Sequence, residues 1–240
     1  YSDRWADPGH QAVPAAWSGY DIEELKAAMT DHTVEVLSML KERGIDVEWV
    51  QVGNETRTGM MWPLGSASDY PQNYAALTAA GYDAVKSVYP DASVIVHLDG
   101  GDDIGRYTWL FGILDNYAAK YDMIGMSLYP WYNTAGEGEA EVYDWRPAVQ
   151  SCVSNITALA ERYGCPVMIC ETGMPYSEPD ETYAMLAYLI GNAKATGYCS
   201  GVFYWEPEAP AGYNDGYLLG AFDDGMPTHA LDAFTEASVR

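Results

Sequence analysis

What most constrains the fold is a repeat of two unlike segments, a short apolar run and then a longer stretch with helical spacing, five times in succession. The runs lie at 47–52, 93–98, 123–128, 167–170 and 201–205. Helical patterns occupy 21–43, 70–89, 104–120, 145–163, 181–196 and 228–238, so the order is one helix followed by five strand–helix pairs. Such units build a parallel sheet covered by helices, either a (β/α)8 barrel or an open doubly wound sheet. Strand starts fall roughly 30 to 45 residues apart, so eight units would need about 300 residues, above the typical barrel length of about 250. With 240 residues, the chain holds five βα units and lacks the first three strands of a barrel.

Local signals support the helices. Asp21 with Glu24 three residues later is a capping-box start, and Ile22, Leu25, Met29, Val36 and Leu40 follow at helical spacing. Gly44 is the expected C-terminal cap. The longest irregular stretches, 56–69, 129–144, 173–180 and 206–227, all follow strands. Barrel enzymes build their sites from loops at that end. No linker or low-complexity tract interrupts the chain, so residues 1–240 are expected to form a single catalytic domain.

Composition removes several function classes. Twelve basic residues against thirty-five acidic give a net charge of -23, which excludes a nucleic-acid partner and disfavours a polyanionic one. A neutral polymer is indifferent to that charge. Twenty tyrosines and eight tryptophans stand against four phenylalanines, so most rings carry a polar edge suited to a wet surface. Cys152, Cys165, Cys170 and Cys199 form no Cys-x-x-Cys pair, and His10, His32, His97 and His229 have no metal-ligand spacing. No apolar run reaches the eighteen or so residues of a membrane span.

Two glutamates carry the chemistry. Glu55 ends Val50-Gln51-Val52-Gly53-Asn54-Glu55, and Glu171 lies in Pro166-Val167-Met168-Ile169-Cys170-Glu171-Thr172-Gly173. Catalytic groups of barrel enzymes come from strand C-termini, and two carboxylates at one mouth make a glycosidase pair. Against this stands the plainer reading of Glu55 in a surface ion pair with Arg57, and of Glu171 as a capping residue. His97 and Asp99 alternate along one strand and so share a face. Tyr129, in Leu128-Tyr129-Pro130-Trp131-Tyr132, can orient a nucleophile with its hydroxyl. Trp62, Trp131 and Trp205, with Tyr132 and Tyr204, fall at or just after strand ends, where flat rings can stack on sugars. Asn54-Glu55-Thr56 and Asn155-Ile156-Thr157 also match the N-glycosylation pattern.

The opening Tyr1-Ser2-Asp3-Arg4-Trp5-Ala6-Asp7-Pro8-Gly9, followed by Pro14-Ala15-Ala16-Trp17, resembles a segment of the endo-β-1,4-galactanases, glycoside hydrolase family 53. Val52-Gly53-Asn54-Glu55 with Gly59-Met60-Met61-Trp62-Pro63 is similar to that family's strand-end motifs. So are His97-Leu98-Asp99, Ser127-Leu128-Tyr129-Pro130, Glu171-Thr172-Gly173-Met174-Pro175 and Phe203-Tyr204-Trp205-Glu206-Pro207, in order. The resemblance implies a (β/α)8 enzyme of the TIM-barrel type that cleaves internal β-1,4-galactosyl bonds of galactan or arabinogalactan with retention. Glu55 would be acid/base and Glu171 nucleophile. Asn54, His97, Asp99, Tyr129 and Trp205 would line the sugar at the cleavage point, with Trp62 and Trp131 as outlying contacts. It also implies that the family's first three strands, which normally include an arginine after the second strand and a histidine just before the position of Tyr1, are missing from this chain. Several bacterial members bind calcium after the last strand; Asn214, Asp215, Asp223 and Asp224 are acidic or amide-bearing but do not reproduce that run. No metal or cofactor is therefore assigned. A polymeric substrate implies a location outside the cytoplasm, and a monomer is expected.

Two other classes compete. Another retaining β-glycanase of the same clan would share the glutamates and differ in its loops, and a panel of linear polysaccharides separates the two. A carbohydrate-binding remnant would bind galactan without releasing product. A nucleotide-binding open sheet is disfavoured, because no glycine-rich phosphate loop follows a strand.

Overall fold

The computed structural model describes residues 1–131, 144–210 and 217–239. The chain divides into two compact units, Tyr1–Asp99 with Gly105–Gly125, and Gly100–Ile104 with Met126–Arg240.

In the first unit, helix α1 (Ile22–Glu42) starts as its sequence dictates. The Asp21 carboxylate accepts from the Glu23 and Glu24 backbone N–H groups, and the Glu24 carboxylate accepts from that of Asp21 at 2.9 Å. At the other end Gly44 is left-handed, with φ 72°. There Gly44 N–H reaches Lys41 O and Ile45 N–H reaches Leu40 O, a Schellman closure. Leu25, Met29, Thr33 and Leu37 form the buried face of α1. Strand β1 (Trp49–Gln51) pairs in parallel with β2 (Ser93–Leu98), placing Val50 opposite Val94. Between them lies α2 (Pro71–Val88), which carries proline at its first turn. After β2 come α3 (Ile104–Asn116) and the start of β3 (Met123–Leu128). The sheet order within this unit is β1, β2, β3.

The second unit contains the end of β3, then α4 (Arg146–Tyr163), β4 (Val167–Thr172), α5 (Pro179–Ala195) and β5 (Cys199–Val202). Its sheet order is β3, β4, β5, with β4 and β5 parallel. A two-residue hairpin, β6 (Phe222–Asp223) with β7 (Met226–Pro227), precedes the last helix, α6 (Asp232–Val239). Strands β2, β3 and β4 are almost wholly buried, as is usual for parallel strands whose two faces are both covered. β1 and β5 are more open.

Several bounds differ from the sequence expectation. The apolar run at 201–205 is a strand only through Val202, because β5 starts earlier, at Cys199, and its register with β4 shifts between Val167 and Ile169. α3 stops at Asn116 rather than 120, where Ala118 adopts φ 53° and Ala119 N–H closes back on Leu114 O. β4 runs two residues further than expected, so Glu171 lies within the strand.

All four cysteines are free thiols. Cys152 is buried in α4, Cys165 sits in the turn before β4, and Cys170 and Cys199 lie on β4 and β5. Burial pushes the Cys170 thiol up to about 12 and also raises that of Cys199. No described helix is long and apolar enough to cross a membrane.

Candidate active site

In the first unit, the chain leaving β1 is fastened residue by residue. Asn54 donates its amide N–H to Ala6 O at 2.7 Å, and Gln11 Nε2 reaches Asn54 O at 2.7 Å. Thr56 Oγ1 is 2.8 Å from the Tyr74 hydroxyl, and Thr58 Oγ1 donates to Pro8 O at 2.9 Å. Glu55, between them, is left-handed with φ 46° and ψ 51°, a region that residues with a Cβ occupy at a cost. Its N–H points at His97 Nδ1, 3.4 Å away. That same nitrogen lies 3.2 Å from Asn54 Oδ1. One tautomer therefore accepts from Glu55 and the other donates to Asn54. Complete burial lowers the His97 pKa to about 3, so the ring is neutral in either case.

Asp99, expected on the same face as His97, does reach toward the loop after β1. It meets Arg57 there, with Nη1 3.2 Å from Oδ2, while Arg106 Nη1 donates to the same oxygen at 2.6 Å. Arg57, the partner that the plainer reading of Glu55 would give it, forms an ion pair with Asp99. Burial raises the Asp99 pKa, and the two guanidinium groups oppose that rise. Trp62 is half-buried, with its indole N–H on Thr58 O at 3.1 Å.

In the second unit, Glu171 is 8 % exposed and accepts from the Tyr129 hydroxyl at 2.9 Å. Burial raises its pKa, while hydrogen bonds from Tyr129 and Ser127 lower it by favouring the charged form. Gly173 permits this packing, since a Cβ there would lie 3.2 Å from both Tyr129 Cε1 and Leu219 Cβ. Tyr204 serves the backbone: its hydroxyl accepts from Met174 N–H and donates to Leu219 O at 2.8 Å. Trp205 is half-buried in the turn after β5, its N–H on Thr172 O and its carbonyl held by the Tyr217 hydroxyl at 3.0 Å. Trp131 is half-buried.

Tyr132, Asn214 and Asp215 lie outside the described residues, while Asp223 and Asp224 fall on the β6–β7 hairpin and its turn. Asn155 is buried, with its amide on Gly101 O at 2.9 Å, so this glycosylation match is closed to modification. Gln11 and Ser127 were missed by sequence reading. Ser127 had a signal, since it lies two residues before Tyr129 on an alternating strand. Gln11 had none.

Glu171 lies on β4 and accepts from the Tyr129 hydroxyl, Glu55 lies in the turn that follows β1, and acidic residues at the C-terminal ends of parallel βα strands are the arrangement of barrel-type proteins. A family model described as "Glycosyl hydrolase family 53" matches residues 1–222, and the chain belongs to that family. An Aspergillus terreus protein described as "Probable arabinogalactan endo-beta-1,4-galactanase A" is 32% identical over 231 residues, covering 86% of this chain and 63% of that protein. An uncharacterised Niallia circulans protein is 32% identical over 234 residues, covering 90% of this chain and 60% of that one. The chain thus spans about three-fifths of the length of these curated relatives. Among solved structures, a fungal β-1,4-galactanase superposes with TM-score 0.81 at 26% identity, covering 98% of this chain and 75% of that one. The Ignisphaera aggregans GH53 catalytic domain gives 0.82 at 25%, covering 98% and 71%. The fold is of the (β/α)8 TIM-barrel type, represented here by five βα units.

Proposed function

We propose that this chain is the catalytic part of a retaining endo-β-1,4-galactanase acting on galactan or type I arabinogalactan. The observation that carries the reading is Glu171: a strand-borne carboxylate, nearly buried, held by the Tyr129 and Ser127 hydroxyls, in a chain matched to family 53. In the first step the Glu171 carboxylate attacks the anomeric carbon while the Glu55 carboxyl protonates the departing glycosidic oxygen. A glycosyl ester on Glu171 results. Glu55, now a carboxylate, takes a proton from water as that water attacks the anomeric carbon and frees Glu171. Two inversions give net retention. Carboxylates alone carry these proton and bond transfers, so no metal or cofactor enters the reaction. Trp62, Trp131 and Trp205 supply planes for sugar rings. The tethers on Asn54 and His97 suit them to holding Glu55 beside the sugar. A polymer that cannot enter a cell places the enzyme outside the cytoplasm, working as a monomer.

The test is digestion of linear β-1,4-galactan, with the anomer of the new reducing ends followed by NMR. Early β-anomeric galacto-oligosaccharides, lost in Glu171→Ala while galactan binding persists, are expected. Cleavage of another linear polysaccharide in preference to galactan would move the assignment to a different β-glycanase. Binding without product would leave a carbohydrate-binding remnant.

A further inference from the structure

Asp99 is placed by family resemblance on the sugar, yet its geometry points elsewhere. One carboxylate oxygen, Oδ2, is taken by Arg57 and Arg106. The other, Oδ1, is closed off from solvent and has no hydrogen-bond partner. Oδ1 is therefore not presented to solvent, and Oδ2 is already shared by two guanidinium groups. What Asp99 does reach is the turn that carries Glu55. Arg57 lies on the 3-10 turn Thr56–Thr58, directly after Glu55. That turn is tied at Asn54, Glu55, Thr56 and Thr58 by neutral hydrogen bonds, and at Arg57 by this ion pair. Arg106, from α3, anchors the same carboxylate oxygen.

We propose that Asp99 is a positioning residue, which links Arg57 to Arg106 of α3 and so fixes the left-handed backbone from which Glu55 projects. The inference rests on the acid/base role proposed for Glu55. Misplacing a reacting group by about 1 Å costs about a hundredfold in rate, whereas sugar affinity built from other contacts survives.

The experiment compares Asp99→Asn, Asp99→Ala, Arg57→Ala and Arg57→Lys, with circular dichroism melts to show that each variant is folded. Affinity for β-1,4-galactotetraose is measured by calorimetry, and kcat and KM on linear galactan. The expected result is a fall in kcat of about tenfold to a hundredfold for Asp99→Ala and Arg57→Ala, with tetraose affinity held and Arg57→Lys recovering part of the rate. Lost affinity in Asp99→Ala, with Arg57→Ala unaffected, would make Asp99 a sugar contact and overturn the proposal. A readout independent of turnover is the side-chain carboxyl 13C resonance of Glu55, which is expected to move in both alanine variants. An unmoved resonance also overturns it. Should the unsubstituted chain ignore galactan altogether, the galactanase reading falls, while the Glu55 resonance still decides whether Asp99 holds the turn.

Discussion

Glu55 occupies backbone angles that crowd its Cβ against the following carbonyl, at a cost of about 1–2 kcal/mol. Glycine would escape that cost but lose about 0.4–1 kcal/mol to the greater freedom of its unfolded chain. Both Glu55→Gly and Glu55→Ala remove the carboxylate, so comparing them isolates the backbone. The glycine variant is expected to be the more stable by a few tenths to about 1 kcal/mol in urea denaturation. Equal stability would mean that the surrounding tethers impose no strain. At Glu171 the same reasoning concerns charge. Burial raises its pKa, and the Tyr129 hydroxyl works in the opposite direction by bonding the ionised form. A nucleophile must be ionised, so the rate falls as pH drops through its pKa. Tyr129→Phe removes a stabiliser of the anion and raises that pKa further. The acidic limb of the pH–rate profile is therefore expected to move to higher pH, and a limb that stays in place would detach Tyr129 from this role.

Among the elements, those with explicit punctuation were legible in the sequence. α1 carries its capping box and its Gly44 closure where the residues predict them. Asp21→Ala is expected to cost about 1 kcal/mol in a thermal or urea melt, with no effect on catalysis. β2 and β3 keep their expected bounds, because each is a six-residue apolar run between turn signals. α3 was overextended because its stop is built on Ala118, a residue that advertises no left-handed turn. β5 was misplaced because its start is set by pairing with β4, and pairing across a register shift leaves no local trace. The site divides in the same way. The candidates Glu55, His97, Tyr129 and Glu171 follow from expected strand ends, whereas the ties from Gln11 to Asn54 and from Arg106 to Asp99 depend on which segments fold together.

For the whole molecule the dominant quantity is the excess of acid. A net charge of -23 repels itself in the compact state, and salt weakens that repulsion. Raising the salt from about 0.01 M to about 1 M shortens the Debye length from roughly 30 Å to roughly 3 Å. The thermal midpoint is expected to rise across that range in scanning calorimetry; a fall would show that the attractive surface ion pairs outweigh the repulsion. The thiols have a practical consequence of another kind. Only a thiolate attacks a maleimide quickly. Burial closes off Cys152 and suppresses ionisation of Cys170 and Cys199. Half-exposed Cys165 lies in the turn that enters β4, at the end away from Glu171, so a fluorophore attached there would sit clear of the carboxylate.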